Sequence, residues 1–179
     1  MINNNFLQEA NLLDMSKEIF NSVVDENLKV ETRFQLLSSK IQDAETVNFI
    51  LADGLGFLNL QSTDSFLNEY INNSINTTFP SSTNVALTTI ATLKNPIEHG
   101  IFGYYMYDKL NYGLINALNW NAENKDLLQA DYFKNQSSVW NIFKESNTYA
   151  SNFQPKNLIN TPLSNFLYEE KSTVPYISE

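Results

Sequence analysis

The chain predicts an α/β protein in which a mixed, mostly parallel sheet is flanked by helices. Three observations carry that reading. The run "VNFILAD" (Val47–Asp53) is apolar, contains β-branched residues and is bounded by Asp-Gly, the profile of a short strand buried on both faces. Other segments repeat their apolar residues near a 3.6-residue period, as helices do. Strand and helix signals then alternate along the chain, which marks the α/β class. The 179 residues, 42% of them apolar, suffice for one domain with a core of its own.

The elements follow in order. Within residues 1–40, Phe6, Leu7, Ala10, Leu13, Ile19, Phe20 and Val23 approximate a helical period. Phe34, Leu36, Leu37 and Ile41 continue it, so two amphipathic helices are expected. The strand 47–53 comes next, with "GLGF" as its turn, and residues 58–72 read as helical. "TTFP" is extended, because a residue before proline avoids the α region. Thr83 to Leu93 is a helix, and "KNPIEHGIFG" a loop. "GYYMYD" and "LINALNW" (Leu114–Trp120) read as two strands of a hairpin joined through "KLNYG". Residues 136–147 form a helix with Ser137 or Ser138 as N-cap, and "TYASNFQP" is a further short strand.

Composition excludes several classes of function. The net charge is −9, the isoelectric point is about 4.5, and Lys and Arg are nowhere clustered. A surface for nucleic acid or for anionic membrane is therefore not expected. The absence of cysteine removes disulfides and thiolate metal sites. No apolar stretch approaches the roughly 18 residues of a membrane span, and "MINNNFLQEANLL" has no basic n-region or long apolar core of a secretory signal. A cytoplasmic protein is the expectation.

Two stretches carry chemistry. Asp53 stands where a predicted strand runs into a glycine turn, beyond the carboxyl end of a strand, where open α/β sheets bind ligands. A carboxylate there is a hard oxygen ligand for a metal ion; Asp-Gly also serves simply as a turn. "FPSSTNVALTTIAT" (Phe79–Thr92) places six hydroxyls in fourteen positions. Ser81, Ser82 and Thr83 fall where a helix begins, among unpaired N–H groups that attract anions. A hydroxyl there serves as an N-cap or, beside a metal ion, as a nucleophile. Thr88, Thr89 and Thr92 lie further along, back-bonded to carbonyls or facing solvent.

The order "VNFILADGLGF", "FPSSTNVALTTIAT", "NPIEHGIFGYYMYD" resembles the alkaline phosphatase superfamily, in its type I phosphodiesterase/nucleotide pyrophosphatase branch. The similarity continues through "GLINALNW" and "NFQPKNLINTPLSNFLYEE" and covers most of the chain from about residue 45. It implies an alkaline-phosphatase-like sheet and hydrolysis of phosphate esters or nucleotide-like small molecules with two divalent metal ions, normally zinc. Asp53 matches the metal-ligand aspartate after the first strand. Thr83 matches the nucleophile, itself a metal ligand, with Thr78 in "TTFP" as its rival. Asn84, next to Thr83, is read as a donor to a phosphoryl oxygen, as amide groups act in such sites, although the family has a small residue there. His99, the single histidine, matches a His-Gly-Ile histidine that holds its loop. Phe102, Tyr104, Tyr105 and Tyr107 follow it. They read either as a platform for a nucleobase or other flat leaving group, with Tyr104 and Tyr105 foremost, or in alternate positions as core. The helix ends Thr92-Leu93 where the family has Thr-Gly.

On this resemblance residues 1–45 are expected to be an N-terminal helical segment and 46–179 the N-terminal half of an alkaline-phosphatase-like domain, truncated before its second half. Asp53, Thr83 and His99 cannot close two zinc sites, because zinc prefers several nitrogen or sulfur ligands. A C-terminal half or a homo-oligomer is therefore an open partner. The alternative is a non-catalytic fragment, or a scaffold or binding protein that keeps the fold.

Overall fold

The computed structural model describes residues 9–37, 41, 44–71, 73–108, 113–117, 121–122, 137–146, 148–168 and 172–177. Phe6 and Leu7, most of "KLNYG" and the end of "LINALNW" lie outside them. The helices are α1 (Leu12–Asn21), α2 (Phe57–Gln61), α3 (Thr83–Thr92), α4 (Pro96–His99), α5 (Val139–Glu145) and α6 (Pro162–Leu167). The strands are β1 (Tyr105–Asp108), β2 (Gly113–Asn116), β3 (Asn121–Ala122), β4 (Asn152–Pro155) and β5 (Thr173–Tyr176).

α3 organises the rest. Apolar and small hydroxyl residues surround its whole circumference, the pattern of a helix enclosed on all sides, and α1, α4, α5 and α6 pack on it. Val85 joins Ile101 and Ala117, with Met106 against them. Ala91 and Leu87 meet Leu163 and Leu167 of α6. Leu93 reaches the cluster of Phe20, Val24 and Val139 that ties α1 to α5. Each fully buried aliphatic side chain here contributes roughly 1.5–3 kcal/mol. The buried hydroxyls of α3 are satisfied locally. Thr88 donates to the Asn84 carbonyl and Thr92 to that of Thr88, both at 2.7 Å. Two of the six hydroxyls that the sequence singles out thus serve the helix itself.

The expected hairpin is present. β1 pairs antiparallel with β2 in the register Tyr105↔Asn116, Met106↔Ile115, Tyr107↔Leu114, and β3 adds to β2. Ile115 is fully buried and Met106 faces the core, while Tyr105 and Tyr107 stand outward. β4 pairs with β5 in parallel. Helices with small sheets agree with the α/β class at that level. Among the described residues, however, the sheets have three antiparallel and two parallel strands, so the large, mostly parallel sheet is not seen.

Several expectations are corrected. Val47–Asp53 is not a buried strand: it lies outside both sheets, and Phe49, Ile50 and Leu51 are exposed. Apolar character buries a parallel strand only where neighbouring strands supply both ladders, and no described residue pairs with this one. Residues 34–37 are not helical. The Glu18 carboxylate instead accepts the backbone N–H groups of Leu36 (2.7 Å) and Leu37 (2.9 Å), and Asp14 holds Arg33, so the segment is a strap across α1. Residues 58–72 break into α2 and a 3-10 turn over Phe66–Tyr70, because the Ser62 and Thr63 hydroxyls bond carbonyls three residues back. The loop 94–103 contains α4, set by a capping box between Asn95 and Glu98 with proline at its start.

Candidate active site

Asp53 sits in a turn closed by the Leu55 N–H on the Ala52 carbonyl (3.4 Å). Gly54 takes φ +77°, a left-handed conformation open to glycine at little cost, and turns the chain away behind the carboxylate. Thr83 is the first residue of α3, after Ser82 at the N-cap position. Its hydroxyl donates to Asp53 Oδ2 at 3.1 Å. Two residues 30 apart in sequence thus meet at the end of one helix, with Asp53 exposed and Thr83 half-buried.

The start of α3 has no side-chain cap. Ser82 spends its hydroxyl on Asn84 Oδ1 (3.0 Å) rather than on a backbone N–H. The first-turn amides therefore keep their partial positive charge beside Thr83. Thr78, the rival hydroxyl, is buried and donates to the Pro80 carbonyl at 3.0 Å. Asn84 is fully buried, and its Nδ2 donates to the Gly103 carbonyl at 2.8 Å. Both ends of that amide are thus engaged within the protein. The Gly103 carbonyl had no signal in the sequence, since every residue carries one.

His99 is 1% exposed. Its Nδ1 accepts the Ile101 N–H (3.1 Å) and its Nε2 faces the Thr89 hydroxyl (3.0 Å). An Nδ1 that accepts a backbone N–H carries no proton, so the neutral ring holds its hydrogen on Nε2 and donates to Thr89. Burial, foremost, pushes the imidazole down to about 4, with neighbouring Lys94 acting in the same direction and Glu98 against it. The ring serves the loop. Tyr104 and Tyr105 are exposed, with centroids 6.2 Å apart, and Phe102 and Tyr107 are exposed as well. None of the four is core.

As a cation site, the Asp53 carboxylate and Thr83 hydroxyl offer two hard oxygens on one centre. No group of three His, Cys, Asp or Glu able to hold a metal occurs among the described residues, and both nitrogens of His99 are engaged. The set fits a share in one cation's coordination and does not fit a two-zinc centre.

A family model for type I phosphodiesterase / nucleotide pyrophosphatase matches residues 47–178. The chain belongs to this family. The match spans Asp53, Thr83 and every element from α2 to β5, and leaves α1 and its strap outside. Phosphodiesterase/pyrophosphatase-type hydrolysis of phosphate esters or nucleotides is the activity the family carries, typically with metal ions. No curated protein and no solved structure gave a match. No described helix is long and apolar enough to cross a membrane.

Proposed function

We propose that the chain acts in phosphodiester hydrolysis with Thr83 as nucleophile. The observation that carries this is the 3.1 Å hydrogen bond from the Thr83 hydroxyl to Asp53 at the uncapped start of α3. Asp53 fixes the direction of the Thr83 O–H. As the Thr83 Oγ1–phosphorus bond forms, the proton passes toward the carboxylate and the bond from phosphorus to the leaving oxygen breaks. The first-turn N–H groups of α3 stand where charge gathers on the equatorial oxygens. Water then attacks phosphorus, and Thr83 departs with its proton restored. Asp53 and Thr83 would hold a divalent cation, which would supply positive charge that lowers the cost of the alkoxide. Tyr104 and Tyr105 offer exposed rings to a flat leaving group.

The test is release of p-nitrophenolate from bis-p-nitrophenyl phosphate, with zinc or manganese added. Turnover by the wild type, a loss of about 10³-fold or more in Thr83→Ala and a phosphorylated Thr83 peptide after acid quench are expected. Asp53→Asn should lose about 10²-fold. That no group of three such ligands occurs among the described residues favours a second reading, a non-catalytic binding or scaffold protein that keeps the fold. Absence of turnover with every added metal, in protein folded by circular dichroism, selects it.

A further inference from the structure

We infer that Asn84 and Thr89 are positioning residues: from two levels of α3 they clamp segment 99–104, Thr89 through His99 and Asn84 through the Gly103 carbonyl, and so set where Phe102 and Tyr104 stand relative to Thr83. The segment returns along α3 in the opposite direction. Its start is tied to the middle of the helix by His99 and Thr89 (3.0 Å), and its end to the first turn by the Gly103 carbonyl and Asn84 (2.8 Å). Thr89 and Asn84 are five residues apart, about 7.5 Å along a helix axis, so the clamp spans that length and stops beside Thr83.

Between the clamps Ile101 is fully buried against Val85, and its N–H is the group His99 Nδ1 accepts. His99, Ile101 and Gly103 thus face the helix, and Phe102 and Tyr104 alternate outward, 48% and 46% exposed. Asn84 and Thr89 are each 0% exposed, so neither touches a substrate, and Ser82 holds the Asn84 carbonyl oxygen so that its Nδ2 points to Gly103. The clamp carries no group that reacts. It fixes Tyr104, one of the rings offered to the flat part of a substrate, together with Phe102, and in this it rests on the proposed hydrolysis at Thr83.

The experiment has two arms. Hydrogen–deuterium exchange of the apo chain reads the clamp without any turnover. In Asn84→Ala and Thr89→Val, exchange over 101–105 is expected to rise at least about tenfold, with 139–145 unchanged and Thr89→Ser, which keeps the hydroxyl, like the wild type. Kinetics on bis-p-nitrophenyl phosphate are expected to show KM raised about tenfold in Asn84→Ala and Thr89→Val, with kcat within about threefold, the split opposite to that of Thr83→Ala. Unchanged exchange over 101–105 overturns the inference, as does a rise spread evenly over the chain. Where the wild type itself does not turn over, the proposed hydrolysis falls and the exchange arm alone decides the clamp.

Discussion

Acidification should reach this fold through His99. Its ring is 1% exposed and lowered to about 4, whereas an unfolded chain holds histidine near 6.5. The folded value is the lower one, so above pH 6.5 both states are neutral and the group adds no pH dependence. As pH falls from 6.5 toward 4, the unfolded state takes up a proton that the folded state refuses, and stability declines. The linkage relation gives roughly 1 kcal/mol lost at pH 5.5 and roughly 2–3 kcal/mol at pH 4.5. Because the chain has a single histidine, one imidazole C2–H resonance reports it, and its titration midpoint should lie near 4. Urea unfolding at pH 7, 5.5 and 4.5 should show the same decline for the wild type, and a shallower one for His99→Gln, in which Glu98 and Lys94 are still present. A midpoint near 6.5, or parallel stability curves, would refute the buried neutral ring.

Other perturbations test the packing. Ile101→Ala empties a fully buried position against Val85 and should cost roughly 2–5 kcal/mol in the urea midpoint. Arg33→Ala removes two bonds of 2.9 and 2.7 Å to Asp14, whose side chain is 4% exposed. Leaving that carboxylate behind should cost about 1–3 kcal/mol, read by thermal unfolding at low salt. Thr92→Val should change stability by less than about 1 kcal/mol, because its hydroxyl only doubles a helix carbonyl. A loss above about 2 kcal/mol would mean that hydroxyl serves something outside α3.

The parts of this molecule that local chemistry decides were legible in the sequence. α3 begins at Thr83 as read, the hairpin falls on the expected residues, and the glycine after Asp53 takes the positive φ its turn needs. Three places in the chain were harder to read. Asn84 stands next to Thr83, and adjacency suggested a shared ligand, but a helix turns about 100° per residue, and Asn84 faces Gly103 and the interior. Phe34, Leu37 and Ile41 keep a helical period, but two buried acids of α1, Asp14 and Glu18, capture the arginine and backbone N–H groups of that stretch. Ile50 has the character of a core strand residue and is 85% exposed, because whether a strand is covered depends on partners that its own residues do not encode. The stretch read as a loop, "KNPIEHGIFG", holds α4, where the capping box of Asn95 and Glu98 and the proline at the first helical position act together.

The exposed run around Phe49–Leu51 bears on how this protein is handled in solution. Apolar side chains next to backbone groups outside any sheet form a ready template for indiscriminate pairing. What opposes it is mutual repulsion between molecules that each carry −9, and that repulsion reaches only about 10 Å at 0.1 M salt and about 3 Å at 1 M. Concentrated stocks should therefore stay clear in dilute buffer and scatter light as sodium chloride is raised, while Ile50→Asp should remain clear in both.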